Sequence, residues 1–138
     1  MRRPAAIGLA CAIALGLGGC GSVIGPRCPS GQERLQTAQL FFGREVAGKP
    51  AVSEAAFRRF MDEEVTPRFP DGLTVLDGGG QWKGPQNRLI RESSKLVLIV
   101  LPRRGDSMAR LEAVRTAYKA RFQQDSVLLV TEPACVSF

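Results

Sequence analysis

Arg91-Glu92-Ser93-Ser94-Lys95 is the densest run of reactive side-chain types in this chain, and Asp77 stands upstream of it, followed by Gly78-Gly79-Gly80-Gln81-Trp82. These residues admit a limited chemistry. Arg91 and Lys95 can hold an anion. Asp77 or Glu92 can act as a proton donor or acceptor. The chain contains no His. Ser-His-Asp catalysis, Cys-His catalysis, histidine metal sites and imidazole proton shuttles are therefore excluded. A GxxxxGK[ST] phosphate loop does not occur. Catalysis would have to use Asp71, Asp77 or Glu92 as acid or base, or a Ser activated by Lys95. Ser93 and Lys95 lie two apart on one strand, which resembles a Ser-Lys pair in outline only.

The spacing suggests how these residues meet. Lys83–Asn87 reads as a hairpin turn between two strands. With Trp82 placed opposite Arg88, Gly79 faces Arg91, Asp77 faces Ser93 and Val75 faces Lys95. Side chains alternate between faces, so Asp77, Arg91, Ser93 and Lys95 share one face and Glu92 points the other way. Asp77, Trp82, Arg91, Glu92 and Lys95 are the candidate binding residues. The plainer reading of the same cluster is a set of cross-strand ion pairs at the polar end of a hairpin. The glycine triplet lacks the helix N-terminus that makes a phosphate cradle effective. It reads better as a bulge or a close backbone approach. Trp82 is a stacking platform or, more simply, a half-buried hairpin anchor. Arg44 and Arg121 read as surface residues, the latter suited to a helix C-terminus.

The elements that must position these residues follow from periodicity. Leu35–Phe42 alternates with period two, as a strand does. Ser53 is an N-cap. Val52 and Phe57 flank it at hydrophobic-staple spacing. Phe57, Phe60, Met61 and Val65 form one helical stripe. Pro67 stops that helix by pushing the preceding residue out of the α region. Leu73–Asp77 is a second strand, resuming at Gln81-Trp82 after the glycines. Leu89–Leu101 is a third, ended by Pro102. Asp106 or Ser107 caps a second helix with the stripe Leu111, Val114, Tyr118 and Phe122. Ser126–Thr131 is the last strand. The order β-α-β-β-α-β predicts an α+β class and a single ferredoxin-like domain, an antiparallel sheet with two helices on one face. The first and last strands are then antiparallel neighbours. Lys95–Leu101 and Val127–Val130 are apolar on both faces, so the second sheet face needs a cover: a second copy, a partner, a ligand or the chain's own tether and tail.

The N-terminus reads as an address. Arg2 and Arg3 precede an apolar run, Ala5 to Leu17, too short to span a membrane and suited to a signal peptide. The run ends in Leu17-Gly18-Gly19-Cys20, which resembles a bacterial lipobox. Residues 1–19 are thus expected to be a lipoprotein signal peptide, Cys20 the lipidated residue, 20–31 a tether and 32–138 the domain. Gly21 rather than Asp after Cys20 points to the outer membrane, facing the periplasm, in a Gram-negative cell. Several acyl chains make a stable anchor where one is marginal.

Removing residues 1–19 takes Arg2 and Arg3 from the 19 basic residues and leaves 17 against 13 acidic ones. The excess is small and scattered, which argues against a nucleic-acid partner. Cys28 and Cys135 remain as an even pair in an oxidising compartment and are expected to form a disulfide. No residue pattern calls for a metal or a cofactor.

Leu40-Phe41-Phe42-Gly43, Thr66-Pro67-Arg68-Phe69-Pro70-Asp71-Gly72-Leu73-Thr74-Val75, Gly80-Gln81-Trp82, Arg91-Glu92-Ser93 and Tyr118-Lys119-Ala120-Arg121-Phe122-Gln123-Gln124-Asp125-Ser126-Val127 carry a further signal. Together they resemble a family of small exported bacterial proteins catalogued only as a domain of unknown function. The resemblance spans about residues 35–131. It implies that these blocks belong to one domain, and it carries no activity, cofactor or catalytic residue. The expected function is a lipid-anchored cell-envelope module binding a protein partner, a second copy of itself or a small ligand. The alternatives are a small cofactor-free enzyme using Asp77, Arg91 and Lys95, and a structural envelope lipoprotein.

Overall fold

Alternation in β1 (Glu33–Gly43) gives the molecule its two unlike sides. Ala38, Leu40 and Phe42 are fully buried, while Gln39, Phe41 and Gly43 are only half-buried. The computed structural model describes residues 27–46 and 49–138, with side-chain detail omitted at 46, 49 and 50. Cys20, the expected signal peptide and most of the expected tether lie outside the described residues.

After β1 the chain forms a two-residue pair, β2 (Glu45–Val46) with β3 (Lys49–Pro50), which the periodicity did not predict. Next comes α1 (Glu54–Phe60), extended by a π-helical turn at Met61–Val65. β4 (Thr74–Lys83) and β5 (Leu89–Leu101) make a hairpin. Then come α2 (Ser107–Phe122) and β6 (Leu128–Val136). The main sheet has the order β4-β5-β1-β6, and every neighbouring pair is antiparallel. The class is therefore α+β, with one four-stranded antiparallel sheet and two helices.

Both helices contribute to one core. Phe57, Phe60, Met61 and Val65 from the first, and Leu111, Val114 and Tyr118 from the second, cluster with Ala38, Leu40, Phe42, Val97, Ile99 and Leu101. Tyr118 and Phe42 pack edge-to-face with centroids 4.6 Å apart, and Phe60 meets Tyr118 at 5.0 Å. Such pairs add about 0.5–1.5 kcal/mol each beyond the area they bury. The staple holds: Ser53 Oγ accepts from Ala56 N–H at 3.1 Å, and Val52 and Phe57 are both buried.

Several expectations need correction. Thr66 keeps α-helical angles (φ −56°, ψ −42°), so Pro67 does not end the helix by expelling its predecessor. The ladder loosens before it: Thr66 N–H donates to Met61 O, five residues back, at 2.9 Å. That π-helical step keeps Val65 in the core, since the extra residue rotates the stripe. Asp106 stands at the N-cap position of α2 but makes no capping bond, because its carboxylate is held by Arg110 Nε at 2.7 Å. β4 runs without a break or bulge through Gly78-Gly79-Gly80. β6 continues past Thr131 to Val136, through Pro133 opposite Gln36. Proline is tolerated there because β6 is an edge strand.

Cys28 and Cys135 form a disulfide, with Cα atoms 5.4 Å apart and a sequence separation of 107. It joins the start of β1 to the end of β6, as expected of antiparallel neighbours. A loop of this length is worth about 4–5 kcal/mol in the chain-entropy model.

Candidate functional site

The β4–β5 register decides what the predicted cluster becomes. Trp82 pairs with Ile90, not with Arg88, so Asp77 lies directly opposite Lys95, Gly79 opposite Ser93 and Gln81 opposite Arg91. Gly84 N–H closes the turn on Arg88 O at 2.8 Å, and Gln86 and Asn87 adopt positive φ. The offset from the expected register is two residues. An even offset preserves the faces, so Asp77, Arg91, Ser93 and Lys95 do share one face, the helix-covered one, while Trp82 and Glu92 share the other.

On the helix side the charges satisfy one another. Lys95 Nζ lies 2.5 Å from Asp77 Oδ1 and 2.9 Å from Glu54 Oε2, and 5.9 Å from the centre of the Phe57 ring. Its side chain is buried, whereas both carboxylates reach solvent. The hydrogen bond from Lys95 is the main reason the Asp77 and Glu54 carboxyls sit below their ordinary pKa values. The bond to Asp77, then that to Glu54, raises the ammonium in return. Arg44 braces the same corner: Nε and Nη2 donate to Val52 O at 3.0 and 2.8 Å, and Nη1 lies 2.5 Å from Glu54. Arg91 stands apart, donating to Gln81 Oε1 at 2.9 Å. Arg121 binds Glu63 and Glu64 at 2.8 and 3.0 Å. Asp77 and Lys95 are thus a structural ion pair that ties the hairpin to α1.

The opposite face differs. Leu76, Trp82, Leu98, Leu128 and Val130 are all more than a third exposed, and among the described residues nothing covers them. At the end where β1 stops and β6 begins, this face opens into a groove of about 1010 Å³. Phe41, Ile90 and Leu128 give it apolar walls, and Trp82 forms its outer side. Gly43, Gly79 and Gly80 line it as well. Gly80 lies opposite Glu92, and Gly43 is the last residue of β1. A Cβ at Gly43 would come within 2.9 Å of Gln124 Oε1 and 3.0 Å of Glu92 Oε1, so the two oxygens converge over this glycine.

Three elements hold that convergence. Tyr118, buried in α2, donates its hydroxyl to Gly43 O at 2.8 Å and fixes the strand end. Burial pushes the Tyr118 phenol well above its ordinary pKa. α2 ends at Gln123 in the left-handed region (φ 53°), which turns the chain so that Gln124 reaches over. Gln124 Nε2 donates to Glu45 O at 2.8 Å, which leaves Oε1 facing the groove. Glu45 in turn accepts Ser93 N–H at 3.2 Å. Glu92 accepts no hydrogen bond and makes no ion pair among the described residues. Partial burial, and then the neighbouring Glu45 charge, raise its carboxyl above the ordinary glutamate value.

Of the predicted site residues, then, the structure places Trp82 and Glu92 at the groove and commits Asp77 and Lys95 to an ion pair across the sheet from it. Arg91 lies at the groove's rim. Gly43, Glu45 and Gln124 were not among the predicted site residues. A glycine closing an aromatic strand is the one sequence sign that pointed to them. Among the described residues no group of acidic or cysteine side chains is placed to hold a metal ion. No helix of the described residues is long and apolar enough to cross a membrane.

The family model described as "Protein of unknown function (DUF3574)" matches residues 37–138, and the chain belongs to that family. Among curated proteins none matches. Among solved structures, a phage SAM lyase in complex with S-methyl-5'-thioadenosine is similar, with TM-score 0.57 and 17% identity over 82% of this chain and 95% of its own. A phage SAM lyase in its apo state gives 0.56 and 16%, covering 76% and 90%. CutA from Synechococcus elongatus gives 0.48 and 8%, covering 74% and 78%. For the two lyase structures, at these identities, the likeness is one of fold.

Proposed function

We propose that this protein is a lipid-anchored envelope module that binds a small ligand in the groove on its uncovered sheet face. The observation that carries this reading is the groove itself: about 1010 Å³ of space lined by Phe41, Ile90, Leu128 and Trp82 together with Glu92 and Gln124. That is the size of a small-molecule site, and it combines apolar lining with a few fixed polar atoms, as such sites do. The anchor rests on the basic start, the short apolar run and the lipobox ending at Cys20. We read the domain as ferredoxin-like, which the β-α-β-β-α-β succession and the strand order β4-β5-β1-β6 both support. The envelope location, the outer membrane in a Gram-negative cell, follows from the anchor and from Gly21.

The disulfide and the groove lie at opposite ends of the sheet. The disulfide joins the segment before β1 to the end of β6. The eleven residues of β1 carry the chain about 33 Å from there to Gly43.

Native mass spectrometry of the full-length protein, extracted in mild detergent from its own membranes, tests both halves. The expected spectrum shows a chain starting at Cys20 with acyl chains, plus one small-molecule adduct. Cys20→Ser should lose the acyl mass. Gly43→Ala, whose methyl would meet Gln124 and Glu92 at 2.9 and 3.0 Å, should lose the adduct and keep the acyl chains. An unacylated wild-type chain overturns the anchor, and an adduct-free wild-type chain overturns the ligand groove.

A further inference from the structure

The polar atoms that face the groove at Gly43 are acceptors. Glu92 presents a carboxylate with no partner among the described residues. Gln124 has its amide nitrogen committed to Glu45 O at 2.8 Å, so its free atom is oxygen. Glu45 adds a second carboxylate, of which one oxygen is used by Ser93 N–H. Two carboxylates side by side disfavour each other's charge, and a cation between them relieves that. Of the arginines in the lining, Arg91 donates Nε to Gln81 at 2.9 Å and Arg88 closes the hairpin turn through its backbone; among the described residues neither bonds to Glu92 or Glu45. Around the acceptors stand Phe41, Ile90 and Leu128, with the ring of Trp82 beside Gly80. An aromatic face next to a carboxylate suits a cation that carries an apolar body.

We infer that the groove takes a small organic cation, an ammonium or guanidinium group on an apolar body, with Glu92 as its counter-ion and Gln124 Oε1 as a second acceptor. This rests on the reading of the groove as a ligand site and specifies the ligand's class. The ammonium donates hydrogen bonds to both oxygens above Gly43, and the apolar body lies along Phe41 and Leu128 toward Trp82. A carboxylate or phosphate ligand placed over Gly43 would be repelled by Glu92 and Glu45.

The experiment uses the sole tryptophan as reporter. Trp82 fluorescence of the full-length protein is titrated with phenethylammonium, with the neutral 2-phenylethanol and with the anionic 3-phenylpropionate. The expected result is a saturable change with the ammonium, at least tenfold weaker binding of the alcohol and none of the carboxylate. Glu92→Gln, with unchanged circular dichroism, should weaken the ammonium at least tenfold. Equal binding of all three probes, or full affinity in Glu92→Gln, overturns the cation and leaves the groove standing as a ligand site. No saturable response to any probe overturns both.

Discussion

Gly43 shows how one residue without a side chain can organise a site. Its carbonyl receives the Tyr118 hydroxyl at 2.8 Å, and its open Cα side lets Glu92 and Gln124 approach. Tyr118→Phe deletes one hydroxyl, leaves the core volume nearly unchanged and orphans Gly43 O. It should cost about 1–3 kcal/mol, read as a lower urea midpoint at unchanged m-value. Lys95 makes a second residue-scale case, through pH. Its raised ammonium pKa means that its contribution is fully present below 10.5 and is lost as pH climbs through the folded value. The lowered Asp77 and Glu54 contributions are present above 3.8 and 4.5 and are lost as pH falls through their folded values. The stability difference between wild type and Lys95→Met should therefore be flat across the neutral range and shrink at both extremes. A difference that is constant from acid to alkali would remove the ion pair from the account.

At the scale of elements, β5 carries the clearest contrast. Leu98 faces the uncovered side and is 36% exposed, while its neighbour Ile99 is 1% exposed in the core. Leu98→Asp should change the unfolding free energy by no more than about 0.5 kcal/mol, whereas Ile99→Asp buries an unpaired charge and should cost about 4 kcal/mol or more. Thermal unfolding of the two variants checks this directly. This alternation is also why so much of the fold was legible in the sequence. Buried stripes at periods of two and 3.6 located β1 and both helices, and a long apolar run closed by Pro102 located β5. The disulfide followed from the parity of the cysteines. The register was missed by two residues because the left-handed angles of Gln86 and Asn87 define the turn, and Gln-Asn is a weak turn signal beside Asn-Gly. The groove was hidden for a similar reason. Gln124 reaches Gly43 only because Gln123, a residue that rarely adopts positive φ, ends α2 in the left-handed region. Glu92 was visible as a candidate. That it lies apart from Asp77 and Lys95 followed from the strand period, and that it lacks a partner required the fold.

The whole molecule has two sides and two ends. One sheet face is sealed by the helices, and the other leaves Leu76, Trp82, Leu98, Leu128 and Val130 open. One end holds the disulfide, and the other holds the groove. If the protein is the envelope module proposed above and the groove its working site, the groove's walls are occupied in the native envelope. Hydroxyl-radical footprinting of the full-length protein, in its own envelope and after purification with ligand removed, reads this in a single experiment. Met108, 56% exposed on α2 on the helix side of the sheet, is the internal control. The account predicts that Trp82, Phe41 and Leu128 are protected in the envelope and oxidised after purification, with Met108 oxidised equally in both. Equal oxidation of Trp82, Phe41 and Leu128 in the two preparations, or protection confined to Met108, would contradict it.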